Sequence, residues 1–139
     1  MGQGDFEEID HAVATDRRDA AKGTSFGWSA MEGFEPFNDD QSAEGAVLPL
    51  FVYDHTDGRC SVSGGAVARG DAVTTLQGWY VFGDYCTGQI WALDPTAPAG
   101  DPRVIEIAQL DALAAVASGP DGDLFVVSNA GTVARLIPG

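Results

Sequence analysis

The chain has 139 residues, about one domain by length, and falls well short of a closed multi-blade ring. Seven Lys+Arg against 21 Asp+Glu give a formal charge of -14, whose field repels phosphate backbones and anionic headgroups, so neither nucleic acid nor a membrane surface is an expected partner. No apolar run approaches the roughly 20 residues that span a bilayer, and the first residues lack the basic and apolar regions of a signal peptide.

In chain order, residues 5–13 place Phe6 and Ile9 out of strict alternation and predict a weak strand. Residues 14–45 turn polar and Gly-rich and read as one long loop. Phe26, Trp28, Phe34 and Phe37 within it argue for order, because disordered segments carry few aromatics. Trp28 is expected to pack under this loop, with a stacking platform as the competing role. The acidic cluster Asp39, Asp40 and Glu44 lacks the alternating spacing of a calcium loop and is read as solvated surface.

From Val47 onward short strands alternate with turns rich in Gly, Pro, Asp and Asn. They are predicted at 48–53, 62–69, 79–85, 89–93, 103–107, 113–118, 123–128 and 132–137, which makes the class all-β. The Ala/Leu-rich run 108–117 is the one place where a turn of helix is expected.

An internal repeat narrows the architecture. Residues 78–85 align with 122–129 at an offset of 44, and 88–93 align with 131–136 at an offset of 43. A period near 44 that carries four strands is a propeller-blade spacing. The expected fold is therefore a partial β-propeller of about two four-stranded antiparallel blades. Residues 1–13 supply a strand of a preceding blade, 14–46 the long loop, and 47–61 an outer strand with a pocket loop. Residues 62–110 form a complete blade, and 111–139 a last blade without its outermost strand. Residues 6–13 are a candidate to fill that vacancy; otherwise the open edge invites pairing with another chain or with missing blades.

Cys60 and Cys86 permit one bridge or two free thiols. If 62–69 and 79–85 pair as a hairpin, the two cysteines face each other at its open end, at a separation that suits a disulfide. Zinc is not expected, since one nearby His with two Cys leaves the site a ligand short. A bridge would imply an oxidising compartment.

Several segments, in order, resemble the late part of the glucose/sorbosone dehydrogenase family, the soluble pyrroloquinoline-quinone (PQQ) sugar dehydrogenases. They are Phe6-Glu7-Glu8-Ile9-Asp10, Phe26-Gly27-Trp28 with Met31-Glu32-Gly33, Tyr53-Asp54-His55, Cys60-Ser61-Val62-Ser63-Gly64-Gly65, Tyr80-Val81-Phe82-Gly83-Asp84-Tyr85-Cys86-Thr87-Gly88, Ile90-Trp91-Ala92-Leu93 and Gly119-Pro120-Asp121-Gly122. Hedgehog-interacting-protein-like propellers are similar. The resemblance implies a secreted or periplasmic parent with six blades that oxidises a sugar or polyol, using PQQ as hydride acceptor and calcium as Lewis acid. It also implies that the catalytic His and most calcium ligands lie in blades outside this chain, so no catalytic and no metal residue is assigned here. The cofactor-wall candidates are His55 and Arg59 in the loop 54–60, and Tyr85 and Thr87 in the turn 85–88. Thr87 stands where family members can present an Arg to the cofactor carboxylates, so the charge partner is lost. For His55 the competing role is a turn residue capped by Asp57, and for Arg59 a solvated loop side chain. Two functions follow: a fragment of a PQQ-dependent sugar dehydrogenase, inactive alone, or a non-catalytic propeller module for binding or assembly.

Overall fold

A computed structural model describes residues 2–13, 21–98 and 101–138. Among them there is no α-helix, and every sheet is antiparallel. None closes into a barrel. Among the described residues no helix is long and apolar enough to cross a membrane.

The centre of the molecule is a four-stranded sheet, β5 (Val62–Val67), β6 (Tyr80–Asp84), β7 (Gln89–Leu93) and β8 (Val104–Gln109), paired in chain order. Its middle strands are short apolar runs, buried on both faces. Val81, Ile90 and Ala92 face one core, which they share with Leu113, Val116, Leu124 and Val126. Phe82 and Leu93 face the other core, with Ile9, Leu50 and Tyr53. The first core belongs to a three-stranded sheet, β9 (Leu113–Ser118), β10 (Leu124–Ser128) and β11 (Val133–Arg135). The second belongs to β1 (Phe6–Ile9) paired with β4 (Phe51–Asp54). A complete blade thus lies between two further sheets, the layering of a propeller segment.

Glycine sets the spacing at one crossing. A Cβ at Gly83 would run into the Leu113 side chain and the Gln89 carbonyl, so β9 lies against the backbone of β6. The turn Gly119-Pro120-Asp121-Gly122 closes β9 onto β10 through Gly119 N–H to the Asp123 carbonyl. Gly122 takes φ 80° there, and its carbonyl accepts Gly70 N–H at 2.8 Å, which ties the two blades together.

The structure corrects four expectations. The run 108–117 holds no helical turn: β8 continues to Gln109, Ala112 reverses the chain at φ 54°, and β9 begins at Leu113. Burial of Leu113 and Val116 between the sheets outweighs the helix propensity of the alanines. The segment near Phe6 does not complete the last blade; it pairs with β4, and among the described residues β11 has no neighbour on its outer edge. The long loop is not uniform, since Met31–Glu32 (β2) and Glu35–Pro36 (β3) form a small hairpin across Gly33. Its portion at 14–20 lies outside the described residues. Trp28 is not packed beneath it: the ring is 57% exposed and rests against Phe37 at 5.1 Å. Asp39, Asp40 and Glu44 are exposed as well.

Candidate functional site

The pairing of β5 with β6 sets Val62 opposite Asp84 and Ser63 opposite Gly83. Beyond this end Cys60 and Cys86 are bonded, with Cα atoms 5.7 Å apart. The register then slips across Gly64 and Gly65, where a bulge takes up the extra residue. The hairpin therefore brings the loop 54–60 and the turn 85–88 to the same end of the blade.

Asp84 fastens them. It is fully buried, and its Oδ2 accepts Cys60 N–H at 3.0 Å, Ser61 N–H at 2.9 Å and the Tyr53 hydroxyl at 3.1 Å. Its Oδ1 accepts Cys86 N–H, Thr87 N–H and the Thr87 hydroxyl at 3.0, 2.9 and 3.1 Å. Burial pushes its pKa up, but the donors from Thr87, Cys60, Ser61 and Tyr53 together outweigh burial and hold the carboxyl below its ordinary range. Burial and then the neighbouring Asp84 charge push the Tyr53 phenol up, so it remains a donor.

Glu7 is the second buried carboxylate, 1% exposed. Oε2 accepts Val62 N–H at 3.0 Å, and Oε1 lies 3.2 Å from His55 Nε2. It links the leading sheet to both the blade and the loop. Sequence reading passed over it because an acid in a weak strand is expected to face solvent. The available signal was period two: Glu7 and Ile9 share the inward face of β1.

Each predicted residue can now be placed. His55 precedes a 3-10 turn at Thr56–Gly58 without capping it, and its ring partner is Glu7 rather than Asp57. Arg59 folds back on its own loop: Nε donates to the Asp54 carbonyl at 3.0 Å, and Nη2 to Asp54 Oδ1 and Thr56 Oγ1, both at 2.6 Å. Bonds from Thr56 and Arg59 lower the Asp54 pKa. Thr87 spends its hydroxyl on Asp84, while Tyr85 is 44% exposed. The four candidates thus flank one disulfide, but three are held by the protein itself.

These residues do not fit a quinone cradle. Anchoring the cofactor carboxylates calls for an available cation, and the one cation among the four, Arg59, is committed to Asp54 and Thr56. No calcium step can be routed through Asp84 either, since both oxygens are taken up by protein donors. Among the described residues no cluster of His, Cys, Asp and Glu is arranged to hold a metal ion. The chain matches no family model.

Arg59→Ala tests whether this loop pair is more than local. Asp54 is 46% exposed, so the substitution is expected to cost about 1 kcal/mol or less in urea unfolding. A loss above about 2 kcal/mol would mean that Arg59 organises more than the loop.

Proposed function

We propose that this chain supplies late blades of a propeller similar to the glucose/sorbosone dehydrogenases, and that its own contribution is architectural. The parent would be a PQQ-dependent enzyme acting on a sugar or polyol, with its base and its calcium ligands in earlier blades. The observation that carries this reading is the layering: a complete four-stranded blade covered on one face by β1–β4 and on the other by β9–β11. The repeat gives β6 and β7 of the blade counterparts in β10 and β11 of the next sheet, a recurrence that suits a propeller. Bonded cysteines suit an exported parent.

One observation favours the second reading, a non-catalytic module for binding or assembly. Arg59 and Thr87 make only internal bonds, so this stretch of wall offers PQQ no cation.

The 139-residue chain, mixed with PQQ, calcium and glucose, is expected to show no dye reduction above a protein-free control. Sustained turnover would overturn the architectural role. Equilibrium dialysis of a chain extended by its upstream blades then separates the two readings: retained PQQ and calcium support the dehydrogenase parent, and retention of neither supports the module.

A further inference from the structure

The blade end opposite the disulfide holds a separate cavity of about 330 Å³, between the leading sheet and the four-stranded blade. Ile9 and Leu50 line it from the leading sheet, and Leu93 and Tyr80 from the blade. The rim is charged. Asp10, with His11 beside it, follows β1 on one wall, and Arg69 follows β5 on the other. Although both line one cavity, Asp10 and Arg69 are not bridged to each other. Neither side chain makes a hydrogen bond or salt bridge to any described residue; the charges that interact with Asp10 are the chain's amino terminus and Glu8.

Three constraints select a ligand. The volume is at the small end of ligand sites, which excludes nucleotides and oligomers. The protein's charge of -14 disfavours a net anion, even with one arginine present. Opposite charges on facing walls above an apolar floor call for a molecule with a carboxylate, an ammonium and an apolar body. Arg69 offers a planar fork to the carboxylate, Asp10 accepts from the ammonium, and burial of the body against Leu50 and Leu93 adds the hydrophobic contribution.

We propose that this cavity binds a small zwitterion, namely a free α-amino acid with an apolar side chain. The site is independent of the quinone reading, being built from different residues at the other end of the blade.

Calorimetric titration of the whole chain with L-leucine and L-phenylalanine is the test. Both are expected to bind saturably, whereas L-leucinamide and N-acetyl-L-leucine bind about tenfold or more weakly, each having lost one charged hydrogen-bonding group. Arg69→Gln should abolish the penalty for amidation and leave that for acetylation; Asp10→Asn should do the reverse. Both positions are exposed, so both variants should keep the parent melting temperature, which shows that they fold. No saturable binding up to the solubility limit of leucine overturns the proposal. So does binding in which neither variant changes the discrimination, or glucose binding as tightly as leucine.

Discussion

Asp84→Ala is expected to lower the stability of this chain by about 4 kcal/mol, because it removes the acceptor for six donors at once. Each buried donor left without a partner costs about 1–3 kcal/mol, and the total is moderated because water can reach the turn at Cys86 and Thr87. Asp84→Asn keeps the shape but replaces one accepting oxygen with a donor, so it should fall between alanine and the parent. Urea unfolding followed by circular dichroism measures both, and a loss under about 1 kcal/mol for the alanine variant would rule out Asp84 as the fastening group.

The same group sets the response to acid. The Asp84 carboxyl is held below its ordinary value in the folded chain, so its contribution is complete above the unfolded carboxylate pKa of about 3.9 and is lost as pH falls through the lower folded value. Glu32 acts in the same direction. Burial pushes its pKa up, but N–H groups of Gly4, Asp5, Gln3 and Phe6 outweigh burial and lower it. Glu8 opposes them. Burial and then Asp10 raise its pKa, so its contribution is present when it is protonated and is lost as pH rises through the folded value. Net destabilisation in the parent should therefore set in below about pH 4, and Asp84→Asn should flatten that part of the profile.

Breaking the disulfide ranks next. The cysteines are 26 residues apart, and closure of such a loop stabilises by about 3–4 kcal/mol in the chain-entropy model. Asp84 separately holds Cys60 N–H and Cys86 N–H, so the native hairpin should survive reduction. A reductant, or the double substitution Cys60→Ser with Cys86→Ser, is expected to move the urea midpoint down while leaving the folded spectrum unchanged. An unmoved midpoint would contradict this. In the Asp84→Ala background both fastenings are gone, and the two losses should depart from additivity by about 1 kcal/mol.

Local patterns made much of this end of the blade legible. Strand positions from Val47 onward followed from short apolar runs between turn residues, and the structure places a strand at each of them. The Cys60–Cys86 pair followed from hairpin register alone, because cross-strand position fixes Cβ separation. The roles of Glu7 and Asp84 did not follow. Whether an acid is buried depends on which N–H groups from distant segments reach it, and those of Val62, Cys60 and Ser61 are supplied only when the sheets stack. For the same reason His55 could not be assigned to Glu7, which lies 48 residues away in the chain.

By itself, then, the sequence determined the all-β class, the near-44 repeat, the strand positions from Val47 onward and the cysteine pairing, all of which depend on periodicity or on neighbours across one turn. Tertiary structure alone decided that β1 joins β4 instead of β11, that Glu7 and Asp84 are buried acceptors, and that His55 turns to Glu7. The physical reason is common to all three. Each outcome is a competition for buried surface or for a hydrogen-bond partner between segments far apart in the chain, and the winner is set by which sheets lie face to face.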